Sequence, residues 1–331
     1  MLYSGKDLRK LIIPLIIEQI LAIAVGMADT IMVSAAGEAA VSGVSLVDTV
    51  NILLINVFSA LATGGAVVSG HFLGKKKRED ACKSAWQILL FATLLAFVIS
   101  VIFITAHDPL LRLMFGKIED DVMKASKTYL IITTYSFVAL AIYNSCAALF
   151  RAMNESKVTM WVSLLMNVIN VVGNAICIYG LHMGVAGVAI PTTISRYVAA
   201  VVIFLLMFQT KKEINLCGQI TWKFNGSLIK KILYIAIPNG LENSMFQLGK
   251  ILVMSAVATM GTSAIAANAV TGTIANWNNL PGFAINLAIV SVVSVCVGAG
   301  RYDQARYYTR RLCRDAMIGI SCLSIILYLL A

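Results

Sequence analysis

The sequence predicts an all-α, polytopic membrane protein built from a parallel internal repeat of six-helix lobes, with the second lobe incomplete. Three observations lead to this fold class: the composition, a series of about nine apolar runs, and an internal similarity at a fixed separation. Hydrophobic residues make up 59% of the 331 residues and charged residues only 13%, whereas a typical soluble domain has about 25% charged residues. Such a surface is suited to lipid rather than to water, so we expect the chain to be embedded in a membrane.

The apolar runs are long enough to be transmembrane helices, each of which needs about 20 residues to cross a bilayer. Helices are expected because lipid offers no hydrogen-bond partners to the backbone. The nine runs lie at 11–33, 46–73, 86–106, 128–150, 158–180, 185–208, 232–258, 267–297 and 312–331. The first run contains two acids and lacks a small-residue cleavage site, so we interpret it as a retained span rather than a signal peptide.

The beginning of the chain is repeated 224 residues later without a gap. Pro14 aligns with Pro238, and Glu18 aligns with Glu242. Further aligned pairs are Val33 and Val257, Gly37 and Gly261, Thr49 and Thr273, Ala60 and Ala284, Gly74 and Gly298, and Ala81 and Ala305. Internal repeats are characteristic of secondary transporters. Six spans separate the copies, so both copies enter the membrane in the same direction and the repeat is parallel.

The repeat divides the chain into three segments. Residues 1–208 are predicted to form an N-terminal six-helix lobe, 209–231 a cytoplasmic linker with an Asn225-Gly226 turn signal, and 232–331 the first three helices of a C-terminal lobe. A complete second copy would run to about residue 435, so we expect the chain to be truncated at its C-terminal end.

Positive charge is distributed unequally between the two sides of the predicted membrane. The loops and tails on the N-terminal side carry twenty lysines and arginines, and those on the opposite side carry four. The positive-inside rule therefore predicts a cytoplasmic N-terminus in the plasma (inner) membrane. Orientation and contact with anionic lipid account for the net charge of +10, so we expect no nucleic-acid partner.

Two acids lie inside the first span. Glu18 and Asp29 are eleven residues apart, about three helical turns, and so share one face. Acids within a membrane usually mark ion or proton pathways, although either side chain could instead reach the interface from its end of the span. Because Glu18 and Glu242 are equivalent in the repeat, we expect both to line the cytoplasmic half of a central cleft and to favour cationic substrates.

Polar residues form a stripe along the fifth span, and their spacing places them on one helical face. The stripe consists of Ser163, Asn167, Asn170 and Asn174. Amide side chains in a bilayer need partners, so the stripe must face either a wet cavity or the polar groups of a neighbouring helix.

Prolines interrupt two other spans. Pro191 in the sixth span and Pro281 in the eighth, close to Trp277, each remove a backbone hydrogen bond and favour a bend. Broken helices near the midplane often hold transport sites, although a purely structural kink is the alternative. We expect the substrate cleft to be lined by Glu18, Asn167, Pro191, Glu242 and Trp277.

Sequence patterns typical of enzymes are absent. There is no HExxH or GxSxG motif, and the glycines before Lys75 do not have the spacing of a phosphate loop. A membrane-embedded enzyme would need His, Cys or paired carboxylates at one depth, and the sequence provides no such cluster. We therefore expect no enzymatic activity and no cofactor, and transport against a gradient would have to draw on an ion gradient.

Several motifs resemble those of multidrug and toxic compound extrusion (MATE) transporters. Glu18-Gln19 followed by Met27-Ala28-Asp29-Thr30-Ile31-Met32-Val33 resembles the first-helix motif of that family. Gly184-Val185-Ala186-Gly187-Val188-Ala189 is similar to its entry into the sixth helix, and Gly298-Ala299-Gly300-Arg301 to one of its interhelical loops. The resemblance extends over the whole chain. It implies two six-helix lobes that form a V and export cationic amphipaths in exchange for H⁺ or Na⁺.

The resemblance also implies a cation or proton site in the first lobe, at Asp29 together with Asn144, Asn170, Asn174 and Thr192. Many members have an aspartate where Asn174 stands, so less negative charge is available here. Apart from Na⁺ at Asp29, no metal is expected.

The resulting hypothesis is a cation-coupled antiporter whose partners are small organic cations and membrane lipid. The sequence does not determine the substrate, the choice between H⁺ and Na⁺, or the oligomeric state. Two alternatives stay open: a lipid-linked saccharide flippase of the same superfamily, whose cavity would be cationic, and an inactive fragment.

Overall fold

A computed structural model describes residues 2–115, 119–210, 212–218, 221–258 and 262–330, and throughout these ranges the regular structure is helical, without strands. The helices are α1 (Gly5–Ser34), α2 (Glu38–Gly74), α3 (Arg78–Thr105), α4 (His107–Phe115), α5 (Asp120–Thr134), α6 (Phe137–Ala152), α7 (Ser156–Ala175), α8 (Ala186–Leu206), α9 (Gly226–Ala258), α10 (Thr262–Gly298) and α11 (Tyr302–Leu330). A π-helical segment, Ile176–Gly180, continues α7. The predicted all-α membrane fold is confirmed.

The number of spans needs correction. Seven helices in the described ranges are long and apolar enough to cross a membrane, and an eighth arises if α5 and α6 form one span. The predicted span 128–150 corresponds to these two helices, which are bent by 50° at Tyr135 and Ser136. The predicted span 232–258 lies in α9, a continuous helix of 33 residues that is not among the candidates because polar residues such as Glu242 and Lys250 lower its hydropathy. By length and hydropathy, the described ranges therefore contain seven or eight candidate spans rather than the nine predicted.

The polar segment between α8 and α9 is shorter than predicted at its C-terminal end, since residues 226–231 form the first turns of α9. Hydrogen bonds from two side chains of α3 hold the segment in place. Arg78 donates hydrogen bonds to the carbonyl oxygens of Thr210, Lys212 and Glu213, and Trp86 donates to that of Thr221 at 2.7 Å. The boundaries 1–208, 209–231 and 232–331 stay a prediction as lobe divisions.

The helix that carries both predicted acids is fixed at its start by a capping box. The Ser4 hydroxyl accepts a hydrogen bond from the backbone N–H of Asp7, and the Asp7 carboxylate accepts one from the backbone N–H of Ser4. These bonds satisfy donors that would otherwise be unpaired at the helix start. From there α1 runs without interruption through Pro14 to Ser34 and packs mainly against α7 and α10.

Helix α2 is the centre of the molecule, packing against α3, α5 and α6 of the first lobe and against α9 and α10 beyond the linker. One apolar core surrounds Phe150, Ile88 and Ile203. A second, smaller core includes Met32, Val47, Leu130 and Val188 and lies beside the polar site described below.

The two copies of the repeat meet through equivalent residues. Gly74 of α2 packs against the backbone of Val295 on α10, and Gly298 packs in the same manner against the backbone of His71. Both pairs keep the 224-residue separation of the repeat, so the contact is symmetric. Glycine allows the backbones of two membrane helices to approach closely, and this crossing joins α2 to α10.

We expect the change Gly74→Ala to destabilise the protein by about 1–3 kcal/mol, because the new methyl group would collide with backbone atoms that cannot move independently. Gly249→Ala is the matched control, since Gly249 lies in α9 and a methyl group added there would meet no atom within 4 Å. Thermal unfolding in detergent should show a lower melting temperature for Gly74→Ala alone. Equal melting temperatures would mean that the crossing does not contribute to stability.

Candidate functional site

A hydrogen-bonded chain of polar side chains connects α1, α7 and α8. The amide Nδ2 of Asn174 donates to Asp29 Oδ1 at 2.8 Å and lies 3.4 Å from Asn170 Oδ1. Asn170 Nδ2 donates to Thr192 Oγ1 at 2.9 Å, and the Thr192 hydroxyl donates to the carbonyl oxygen of Val188. Four of the five residues expected at the cation site are thus in one connected group.

Local sequence explains how these side chains meet. Asn170 and Asn174 are one turn apart on α7 and therefore point the same way. Gly173, between them, packs against the ring of Pro191, which brings α8 and Thr192 close to α7. Pro191, expected in the substrate cleft, is therefore buried between two helices of the first lobe.

Asn144 and Asn167 do not belong to this hydrogen-bonded group of side chains. Asn144 lies on α6 and Asn167 on α7, and the buried Nδ2 of each has no hydrogen-bond partner among the described residues. Asn174 Oδ1 is likewise buried without a partner there. Because Nδ2 of Asn174 faces two acceptors, the orientation of its amide is determined and its oxygen is left available to a ligand.

A second acid shares the cavity next to Asp29. The cavity is about 130 Å³ in volume, and both Asp29 and Asp48 line it. Asp48 lies on α2, where Oδ1 accepts hydrogen bonds from the Tyr129 hydroxyl at 3.1 Å and from Asn51 Nδ2 at 3.3 Å. Apolar residues of α1, α2 and α8 form most of the remaining wall.

Arg196 of α8 supplies positive charge to the same region. Its guanidinium donates to Ser136 Oγ at 2.8 Å and is close enough to Asp29, Asp48 and Tyr129 to interact with them electrostatically. Two carboxyl groups therefore line the cavity, and the guanidinium of Arg196 interacts with both electrostatically in surroundings where charges are only weakly screened.

The sequence interpretation missed Asp48 and Tyr129. Asp48 lies inside the predicted span 46–73, and the criterion that selected Asp29, an acid within an apolar run, applies to it equally. Tyr129 carries no comparable signal, since one tyrosine in an apolar helix is common and its partner is 81 residues away.

Glu18 is in a different environment from the one expected for a cleft residue. Its carboxylate lies 3.6 Å from the guanidinium of Arg151, and the two side chains are only 11% and 13% exposed. Thr159 also donates a hydrogen bond to Glu18 at 2.9 Å. The acid therefore joins α1 to α6 and α7 inside the first lobe.

The repeat equivalent of Glu18 is placed differently. Glu242 is exposed on α9, and Trp277 on α10 is half-buried. Lys250 lies 5.0 Å above the ring centre of Phe246 rather than in an ion pair with Glu242. Met245, Phe246 and Lys250 line an open cavity of about 790 Å³ between α9 and α10. Whether Glu18, Asn167, Pro191, Glu242 and Trp277 bind substrate stays a prediction.

Comparison with known proteins identifies related sequences. A sequence model of the MatE family matches residues 14–176 and 238–331, and the two matches begin at the aligned prolines of the repeat. The "Uncharacterized transporter YisQ" of Bacillus subtilis is 28% identical over 297 residues, which are 88% of this chain and 64% of the relative. The "Probable multidrug resistance protein NorM" of Thermotoga maritima is 25% identical over 302 residues, 90% of this chain and 64% of the relative. This chain thus spans about 64% of the length of both relatives.

Solved structures have the same fold. An outward-facing MATE family transporter of the MOP superfamily superposes with a TM-score of 0.87 at 21% identity, covering 95% of this chain and 69% of the other. A MOP superfamily transporter from Pyrococcus furiosus superposes with a TM-score of 0.89 at 21% identity, covering 98% and 72%.

Proposed function

This chain belongs to the MatE family of multidrug efflux transporters, and from that premise we propose that it exports small organic cations in exchange for H⁺ or Na⁺. The observation that carries the coupling part of this proposal is the hydrogen bond between Asp29 and Asn174, at 2.8 Å within a membrane-spanning helix. A carboxyl group held in such a place binds a proton or a cation more readily than one in water, because the uncompensated charge is costly there.

We propose that Asp29 receives the coupling ion and that Asn170, Asn174 and Thr192 orient it. Thr192 and Asn170 determine the direction of the Asn174 amide through the hydrogen-bonded chain. The unpartnered Oδ1 of Asn174 is next to Asp29 and is a suitable ligand for Na⁺, whereas protonation of Asp29 needs no further ligand. Sodium and proton coupling therefore use the same carboxylate.

Asp48 and Arg196 adjust the charge of this site. When Asp29 and Asp48 are both ionised, their charges and that of Arg196 add up to a single negative charge at this site. We propose that one proton or one monovalent cation neutralises it at a time. A multivalent ion would overcompensate the site, which favours coupling to H⁺ or Na⁺.

The substrate is proposed to be a cationic amphipath. Of the two acids that the repeat relates, Glu242 is exposed and has no ion-pair partner among the described residues, whereas the charge of Glu18 is offset by Arg151. We therefore propose that Glu242 attracts cationic substrates and that Glu18 supports the lobe. The flippase alternative is not favoured, because the relative from Thermotoga maritima is described as a probable multidrug resistance protein and two acids line the cavity at Asp29.

The transport proposal is tested by reconstituting the 331-residue chain in liposomes. We expect an imposed gradient of H⁺ or of Na⁺ to drive ethidium across the membrane, and we expect liposomes without a gradient to show no net transport. Fluorescence of ethidium bound to trapped nucleic acid reports the movement. A chain that binds ethidium but moves it under neither gradient would contradict the proposal.

We further propose that the chain resides in the plasma (inner) membrane with its N-terminus in the cytoplasm, as the charge bias predicts. The charge bias also predicts that position 116, in the loop between the third and fourth predicted spans, is external, but this position lies outside the described residues. Leu113, on α4 and 84% exposed, serves in its place.

Single cysteines at Lys76→Cys and Leu113→Cys should therefore react from opposite sides. In a background in which all seven native cysteines are replaced by serine, an impermeant maleimide added to intact cells should label position 113 only. Opening the cells should allow labelling at position 76. Labelling of position 76 in intact cells would show that the orientation is the reverse of the one proposed.

A further inference from the structure

A groove lined by lysines lies where α2 ends and α9 begins. It has a volume of about 500 Å³, and its charged wall consists of Lys75, which directly follows α2, and of Lys230 and Lys231 from α9. Val68, Phe72 and Ile235 form an apolar wall beside them. The two helices approach closely here, since Gly64 of α2 packs against the backbone of Ile232.

The positive charge in this groove is not balanced by the described part of the protein. None of the three lysines is in an ion pair there, and the lining contains no carboxylate. An anion bound in the groove would balance this positive charge.

The same face of α9 continues as an apolar stripe. From Lys230 it passes Tyr234 and then reaches residues that recur every three or four positions and are 55–71% exposed. They are Ile237, Leu241, Met245 and Leu248. A charged pocket at the end of a membrane helix, followed by an exposed apolar stripe, has the order of a lipid headgroup and its acyl chain.

We propose that this groove binds an anionic phospholipid, with the phosphate among Lys75, Lys230 and Lys231 and an acyl chain along the α9 stripe. Ser227 and Tyr234, which also line the groove, provide hydroxyl groups for the headgroup. The bound lipid would connect α2 of the first lobe to α9 beyond the linker, next to the Gly74 and Gly298 crossing. The lipid would thereby stabilise the contact between the C-terminal end of α2 and the N-terminal end of α9.

The experiment titrates the purified 331-residue chain with a short-chain phosphatidylglycerol in detergent and follows binding by native mass spectrometry and by melting temperature. We expect the triple change of Lys75, Lys230 and Lys231 to glutamine to weaken binding about a hundredfold, since each lysine near an anionic lipid contributes about fivefold and the three contributions multiply. The triple change to arginine keeps the charge and should retain binding. Each single change to glutamine should weaken phosphatidylglycerol binding about fivefold. If the triple variant cannot be purified, these single variants are compared with the wild type instead.

The matched control removes three charges from the repeat-related helix end, by changing Lys6, Arg9 and Lys10 of α1 to glutamine. These residues are exposed, and the control should bind phosphatidylglycerol as the wild type does. Equal weakening in both triple variants would show diffuse attraction to basic surfaces and overturn the proposal. Stabilisation by inorganic phosphate to the same extent as by the lipid would assign the groove to a free anion instead, and equal binding of phosphatidylcholine would overturn the requirement for negative charge.

Discussion

Replacing Asp29 by asparagine is expected to reduce ion-driven ethidium transport to the background of empty liposomes while leaving membrane insertion intact. Asparagine has nearly the same shape as aspartate, and its Oδ1 can still accept the hydrogen bond from Asn174 that Asp29 now accepts at 2.8 Å. What is lost is the group that takes up a proton or attracts a cation. The change therefore separates coupling from folding.

Transport and stability are measured on the same preparations. The control is Asp121→Asn, which removes an aspartate whose side chain is 84% exposed and whose lysine partner is 3.9 Å away. It should transport as the wild type does. If Na⁺ is the coupling ion, it should also raise the melting temperature of the wild type and of Asp121→Asn but not of Asp29→Asn. Transport by Asp29→Asn at the wild-type rate would reject the assignment of Asp29 as the coupling residue.

Replacing Arg151 by alanine is expected to destabilise the protein by about 3–5 kcal/mol, because it leaves the buried charge of Glu18 without its partner. Among the described residues, the hydrogen bond donated by Thr159 at 2.9 Å would then be the remaining side-chain hydrogen bond to that carboxylate. Helices α1 and α6 would lose the ion pair between Glu18 and Arg151 that connects them.

The double variant Glu18→Gln with Arg151→Met provides the control. It removes both charges while keeping similar volumes, and exchanging a buried ion pair for uncharged groups is often nearly neutral. Thermal unfolding in detergent should therefore show a large loss for Arg151→Ala and recovery of most of it in the double variant. If the double variant is no more stable than the single one, the loss comes from packing of the arginine stem rather than from an unpaired charge.

The residues proposed to take part in coupling could be predicted largely from sequence because they lie in short local patterns. An acid in an apolar run, and two asparagines one turn apart, are visible without a structure. The resemblance to MATE transporters added Thr192, and the structure connects it to Asp29 through Asn170 and Asn174. Asp48 satisfied the same criterion as Asp29 and was overlooked, whereas Tyr129 and Arg196 acquire their place only through contacts among α2, α5 and α8.

The sequence by itself determined the membrane class, the helical fold and the internal repeat, since hydropathy and the 224-residue offset are properties of contiguous segments. Only the tertiary structure decided which polar groups are paired. Glu18 and Glu242 are equivalent in the repeat, yet Arg151 and Thr159 enclose the first, while the second is exposed. The 50° bend between α5 and α6 and the meeting of Gly74 with Val295 were likewise settled by packing. The physical reason is that the cost of a buried charge depends on partners more than 100 residues away, and folding alone brings those partners within reach.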